Sequence, residues 1–258
     1  MFDTHVHTTF STDSEMKIEC ARKYARENAM SLIITEHMDI NFPQKDSFRF
    51  DVDKYFREYS RWRNDNLLLG IELGMKEDCL KESRELIENN PFDYVIGSTH
   101  LVDNKDLYSP DYYRGKSKKE TYSKYFQAIL DNLSKFDFID SLGHIDYIAR
   151  YSGYEDSELY CSSFSEIIDE IFKKLIDQDK CLELNTRRLG NKSAIQNMIE
   201  MYKKFGELGG KYITIGSDAH NSYNIGSNFK SAVEIAGLCN LKVVYFKNRK
   251  KEYDKNLL

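Results

Sequence analysis

Seven short apolar runs recur along the chain, near residues 2–6, 31–36, 67–73, 93–98, 139–144, 181–185 and 211–217, and longer segments with helix-like apolar spacing lie between them. The helical segments include "IECARKYAREN", "DKYFREYSRWRND", "TYSKYFQAILDNLSKF", "SSFSEIIDEIFKKLI", "SAIQNMIEMYKKF" and "KSAVEIAGL". Runs this short suit strands, and apolar residues three and four apart suit helices that cover them. Strands joined each time by a helix lie parallel, because a parallel neighbour is reached only by a crossover. Seven such units are what a closed α/β barrel needs, and 258 residues fit one barrel-sized domain. With 3 prolines and no low-complexity linker, nothing marks an internal boundary, so one domain over 1–258 is expected. The stretch 101–119, rich in Asp, Tyr, Ser and Gly, is expected to form a long loop over the active face.

Composition narrows the partners. The net charge of -5 argues against a duplex-nucleic-acid or anionic-membrane surface, whose affinity needs clustered Lys and Arg. The one basic run, "GKSKKE" at 115–120, reads as a solvated loop leading into a helix. Apolar runs such as "LLLGIELGM" and "YITIG" are far shorter than the roughly 18 to 20 residues that span a bilayer. The N-terminus shows no secretory pattern, so a cytoplasmic protein is expected. Cys20, Cys79, Cys161, Cys181 and Cys239 are scattered without a C-x-x-C pair and read as reduced thiols.

The polar residues at the strand ends carry the chemistry. His5 and His7 lie two apart on the first strand, so both side chains point to one side of the pleat and can share a metal. His37 ends the second strand in "IITEHMD", Glu72 sits within the apolar third, and His100 ends the fourth in "IGSTH". His144 follows in "LGHID", and Asp218 and His220 in "TIGSDAH". All 6 histidines thus lie at the C-terminal ends of expected strands, the catalytic mouth of a parallel barrel. A single strand-end histidine is ordinarily a hydrogen-bonded core or surface residue; the full set in that position points to a metal site. Glu72 would be costly to bury without a cation or donor. Asp13 is open to two readings, since "TDSE" at 12–15 also matches a capping box starting the first helix. Asp39 and Asp146, two residues after His37 and His144, either steer imidazole rings or are plain surface carboxylates.

In this order, H-x-H, E-H, E, S-x-H, G-H-x-D and S-D-x-H resemble the polymerase-and-histidinol-phosphatase (PHP) superfamily over the whole chain. Within it, "GSTHLVDN", "SLGHIDYIARY", "LELNT", "GSDAH" and "VVYFKNRK" resemble the histidinol-phosphatase branch. The resemblance implies a distorted seven-stranded (β/α) barrel holding three divalent ions, manganese, iron or zinc. It implies a first metal on His5, His7, Glu72 and Asp218, with Glu72 bridging to a second on His100 and His144. A third would sit on Asp13, His37 and His220; many superfamily members carry His at the Asp13 position, so this chain departs from the broader pattern there. Imidazole and carboxylate ligands suit those ions.

An open polynuclear site hydrolyses phosphate esters by acidifying a water shared between ions, whose hydroxide attacks phosphorus while the ions neutralise the phosphoryl oxygens. Glu72, Asp218, His220 and Arg150 are the expected catalytic residues, with Asp218 and His220 near the leaving alkoxide. Arg150, in "GHIDYIAR", ranks first as a paired donor to phosphate, and Arg187 and Arg188 in "ELNTRR" compete for that role. The expected activity is that of a histidinol-phosphate phosphatase in histidine biosynthesis, acting on a small phosphorylated substrate. Two other readings stand beside it: the same centre acting on a nucleotide, sugar phosphate or phosphotyrosine, and a non-enzymatic protein in which the metals are structural. Complete ligand sets favour catalysis over the last.

Overall fold

The computed structural model describes residues 1–253. The first half runs β1 (Phe2–Val6), α1 (Ile18–Glu27), β2 (Ser31–Met38), α2 (Val52–Tyr59), β3 (Leu67–Gly74), α3 (Leu80–Glu88) and β4 (Tyr94–Ser98). A small hairpin, β5 (Leu101–Val102) and β6 (Lys105–Asp106), precedes α4 (Lys118–Leu133), β7 (Ser141–Leu142) and α5 (Ile148–Tyr151). The remainder is α6 (Ser165–Asp177), β8 (Cys181–Asn185), α7 (Lys192–Glu207), β9 (Tyr212–Gly216), α8 (Phe229–Leu238), β10 (Lys242–Lys247) and β11 (Lys250–Tyr253). One sheet holds nine strands in the order β1-β2-β3-β4-β7-β8-β9-β10-β11. Every neighbouring pair in it is parallel except β10 and β11.

The strand count of this sheet therefore exceeds the expected seven by two, because the segment containing "VVYFKNRK" folds as the β10–β11 hairpin. Its turn places Asn248 and Arg249 at φ of 49° and 64°, the left-handed pair that matches the twist of a tight hairpin. Arg249 Nε donates to Asp140 Oδ2 at 2.6 Å, and Asn248 N donates to Asp93 Oδ1 at 2.9 Å. The hairpin is thereby fastened to the residues that precede β4 and β7.

Helical apolar stripes do what their spacing implies. Ile168, Ile171, Phe172 and Leu175 are the buried face of α6, and Met198, Met201, Tyr202 and Phe205 that of α7. The expected helix over 53–65 ends earlier, passing at Ser60–Trp62 into a 3₁₀ turn. The helix α3 was not anticipated, since only Ser83 and Ile87 of it are buried and its apolar stripe is faint. The expected strand over 139–144 keeps two residues, because the chain turns at His144, whose carbonyl accepts from Tyr147 N at 2.8 Å. The 101–119 loop holds the β5–β6 hairpin and a 3₁₀ turn at Pro110–Tyr112. The basic run does lead into a helix, with Ser117 and Glu120 forming a capping box at the start of α4.

The two faces of the sheet differ. Residues under the helices belong to the main core, whereas Ile33, Leu68, Tyr94, Ile96 and Cys181 form a second apolar cluster on the inner face, joined by Val244 and Phe246 of β10. Two or four residues further along the same face of the same strands come His37, Glu72, Ser98 and Glu183. Apolar residues thus fill the strand starts and polar ones the strand ends. The outer ends of the seven-strand run also meet: Asp218 N donates to His5 O at 2.8 Å and His7 N to Ala219 O at 2.9 Å.

Candidate metal centre

Glu72 is the hub. Fully buried on β3, it sets Oε2 2.8 Å from His37 Nδ1, 3.3 Å from His5 Nε2 and 3.5 Å from His7 Nε2. Its Oε1 lies 2.7 Å from His144 Nε2 and 3.2 Å from His100 Nε2, and accepts from Ser98 Oγ at 2.7 Å. Asp218 follows β9 in the left-handed conformation at φ 56°, which an aspartate tolerates better than most residues. Its Oδ1 is 3.4 Å from His7 Nε2 and 3.9 Å from His5 Nε2. Asp13 Oδ2 lies 3.1 Å from His220 Nε2 and 3.6 Å from His37 Nε2, in the most open part of the cluster.

Each of four imidazoles is held by one ring nitrogen, which fixes its tautomer and frees the other. His5 Nδ1 donates to Glu183 Oε1 at 2.6 Å, and His100 Nδ1 to Asp39 at 3.0 Å. His7 Nδ1 donates to Ser11 Oγ at 3.0 Å, since that hydroxyl gives its own proton to Glu36 Oε2 at 2.6 Å. His220 Nδ1 donates to the Asp218 carbonyl at 2.9 Å. The opposite nitrogens of His5, His7 and His100, together with His37 Nδ1 and Glu72 Oε2, are buried without a hydrogen-bond partner among the described residues. So many convergent lone pairs left without donors are the signature of ligands around cations. Groups of ligand atoms within 4.8 Å of one another recur accordingly: His5, His7 and Glu72; Glu72, His100 and His144; His7, His37 and His220. The donor set fits metal ions.

The electrostatics agree. Burial opposes a charge on Glu72, yet the imidazoles of His5, His37 and His100 hold it well below the ordinary carboxylate range. Burial and the neighbouring His37 and His220 hold His7 well below the usual imidazole value. Burial also disfavours charge on His5, but Glu183, Glu72 and Asp218 outweigh it and raise its pKa. Bound cations would take the place of such protons, so ion uptake is coupled to proton release.

Several expectations are corrected. "TDSE" does not cap α1, whose N-cap is Lys17 with no side-chain bond. Ser14 Oγ instead ties the carbonyls of His7 and His220 together, at 3.2 and 3.1 Å. Asp39 steers His100, not its sequence neighbour His37, and Asp146 takes no imidazole but pairs with Arg188 at 3.2 Å. Arg188 also meets Glu158 at 2.8 Å and is not among the residues that line the cavity over the cluster. Arg150 and Arg187 do line it. Arg150 NH1 donates to Asp218 Oδ2 at 2.6 Å, while its buried Nε and NH2 have no partner among the described residues. Arg187 donates to the Asp218 carbonyl at 3.2 Å.

Glu183, Glu36 and Ser11 were missed. For Glu183 the signal was present, a carboxylate within the apolar strand "CLELN", the same feature that marked Glu72. Glu183 also accepts from the backbone N of His144 at 2.6 Å, so one side chain ties the imidazole of His5 to the backbone that carries His144. Beside it, a Cβ on Gly216 would lie 2.3 Å from His5 Cβ and 2.6 Å from Glu183 Oε1, so only glycine lets β9 pass this close.

Comparison with known proteins agrees with this geometry. The sequence pattern of the PHP domain family matches residues 3–187. A probable histidinol-phosphatase of Clostridium acetobutylicum is 46% identical over 253 residues, 98% of this chain and 99% of its own. The histidinol-phosphatase of Lactococcus lactis subsp. lactis is 34% identical over 228 residues, 84% of this chain and 83% of its own. A crystal structure of histidinol phosphate phosphatase from that organism, complexed with zinc, L-histidinol and phosphate, is similar with a TM-score of 0.92 at 30% identity, over 97% of this chain and 98% of that one.

Proposed function

The chain belongs to the PHP domain family, and we propose that it is a metal-dependent phosphatase that hydrolyses L-histidinol phosphate to L-histidinol and phosphate. The observation that carries this reading is Glu72, one buried carboxylate whose two oxygens face two separate groups of imidazoles. Together with relatives named histidinol-phosphatase at 46% and 34% identity, that hub favours a polynuclear centre acting on this ester.

In this reading residues 1–258 are one domain, and β1 to β4 with β7, β8 and β9 act as a distorted seven-stranded barrel, closed where β1 meets the residues after β9. His5, His7, Glu72 and Asp218 would hold one divalent ion, and Glu72, His100 and His144 a second. Asp13, His37 and His220 would hold a third, at the cavity's open side. Zinc, manganese or iron all suit this donor set. When bound, such ions supply an acidified water and neutralise charge on the phosphoryl group.

The chain's own residues supply the rest. Arg150 has two free donors, Nε and NH2, on the fork that already grips Asp218, so it presents a fixed pair of N–H groups to a phosphoryl oxygen. Arg187, at the rim with 44% of its side chain exposed, adds a looser positive charge. Asp218 and His220 line the same cavity, and in this reading they would assist departure of the leaving alkoxide. No helix among the described residues is long and apolar enough to cross a membrane, and we place the enzyme in the cytoplasm.

A panel of phosphate monoesters tests the substrate. Metal-loaded protein should show a higher kcat/KM on L-histidinol phosphate than on nucleotides, sugar phosphates or phosphotyrosine. Faster hydrolysis of any of these would reassign the substrate and leave the phosphatase chemistry standing.

A further inference from the structure

Asp13 sits on a loop, with 40% of its side chain exposed, so something other than sheet register has to place it beside His37 and His220. The loop leaves β1 after His7 and enters α1 at Ile18. It is pinned at every third residue: Thr8, Ser11 and Ser14 are buried, whereas Thr9, Thr12 and Asp13 are exposed. Ser14 Oγ reaches the carbonyls of His7 and His220. The other two pins end on one side chain, Glu36. Thr8 N donates to both of its oxygens, at 3.1 and 3.0 Å, the Thr8 hydroxyl donates to Oε1, and Ser11 Oγ donates to Oε2 at 2.6 Å. Tyr59 OH backs the same Thr8 hydroxyl at 2.7 Å. Glu36 is fully buried, and the donors that offset its charge among the described residues all come from this loop. An apolar residue would pack there without the cost of burying a carboxylate; what the charge adds is a fixed place for the loop.

Glu36 and His37 are neighbours on β2 and point to opposite faces of the sheet. His37 faces inward to Glu72 and Asp13, while Glu36 lies with Ile34 on the helix side. Two adjacent residues of one strand thus supply a ligand candidate of the third site and the clamp on the loop that carries another. Ser11 closes the arrangement, because its hydroxyl accepts from His37 N and from His7 Nδ1, each at 3.0 Å, while donating to Glu36. Both of its acceptor positions are filled, so only an acceptor at Glu36 keeps it in this orientation. The ligands around Glu72 are held by other means. Glu183 holds His5, Asp39 holds His100, Ser98 donates to Glu72 and Arg150 grips Asp218.

We infer that Glu36 is a positioning residue for the third ion: by clamping Thr8 and Ser11 it keeps Asp13 within reach of His37 and His220, so that its loss loosens this ion and largely spares the two that share Glu72. This rests on the three-ion reading of the site and deepens it, and it does not depend on which phosphate ester is hydrolysed. His7 is the one ligand of the bridged pair that is tied to Ser11, and it shares its ion with three ligands held independently of Glu36.

Glu36→Gln tests it, since the side chain keeps its shape but one acceptor becomes a donor, which then opposes either the Ser11 hydroxyl or the Thr8 N–H. Full-length zinc-loaded protein is equilibrated against zinc buffers of graded free concentration, and the ions retained per chain are counted by elemental analysis. Asp13→Ala identifies the third ion as the one that it weakens. Glu36→Gln should weaken that same ion about tenfold to hundredfold and leave the other two within about threefold of the native protein. In the double variant Glu36→Gln should add almost nothing, because the loop no longer carries a ligand. An unchanged third ion, fully additive losses, or equal weakening of all three ions would overturn the inference; the last is what a merely structural role gives, and thermal melting records it separately. If Glu36→Gln does not fold, Ser11→Ala enters the same cycle: it cuts the line from Glu36 to His37, so the same ion should weaken, and additivity with Asp13→Ala overturns the inference again. Native protein that takes no third ion removes both the third site and its positioning residue. Native protein that takes three ions but does not turn over L-histidinol phosphate faults the functional reading alone.

Discussion

Glu72→Gln is expected to lower turnover by about a thousandfold, roughly 4 kcal/mol of lost transition-state stabilisation, while the fold persists. Glutamine matches glutamate in shape and keeps an acceptor for Ser98, so the packing of β3 is not disturbed. What disappears is the one negative charge set between His5, His7 and His37 on one side and His100 and His144 on the other. Without it the centre holds fewer ions, and those that remain lose the link between them. Steady-state turnover, metal content and thermal melting, measured on the same preparation, separate the effects. Near-normal turnover in the variant would refute the bridging role; a collapse in melting temperature would assign the loss to folding instead.

Arg150→Ala is expected to cost about 2 to 4 kcal/mol in kcat/KM on L-histidinol phosphate, or ~30-fold to ~1,000-fold. Two features make this residue consequential. Its guanidinium is almost fully buried, with 5% of the side chain exposed, and it lines the cavity over the cluster with two donors unpaired among the described residues. Removing it takes away those donors and also the counter-charge of Asp218. Arg150→Lys should recover only part of the activity, because an ammonium cannot reproduce a planar fork that grips a carboxylate and a phosphate together. If Arg150→Ala is silent while Arg187→Ala is severe, the phosphate clamp belongs to the loop after β8.

Much of the site was legible because its ligands obey a rule that needs no tertiary information. Parallel strands deliver their C-terminal ends to one rim, so a histidine or carboxylate at each such end can be placed with its neighbours before the fold is known. His5, His7, His37, Glu72, His100, His144, Asp218 and His220 follow that rule, and the structure brings them together. Residues that act across the sheet do not. Asp39 was legible as a partner for some imidazole, but only the geometry assigns it to His100. Arg188 and Arg187 are sequence neighbours with the same chemistry; one turns away to Asp146 and Glu158 and the other faces the cavity, which no spacing predicts. The β10–β11 hairpin was hidden for a similar reason. Its strand identity depends on Val244 and Phe246 finding an inner-face apolar cluster contributed by five other strands.

The metal content of the active protein tests the central claim most directly. Elemental analysis of purified, catalytically competent enzyme should find about two to three equivalents of transition metal per chain, with activity lost on chelation as those equivalents leave. Fewer than about one equivalent in fully active protein would contradict a polynuclear centre and leave the convergence of six imidazoles on Glu72, Asp13 and Asp218 without a catalytic purpose.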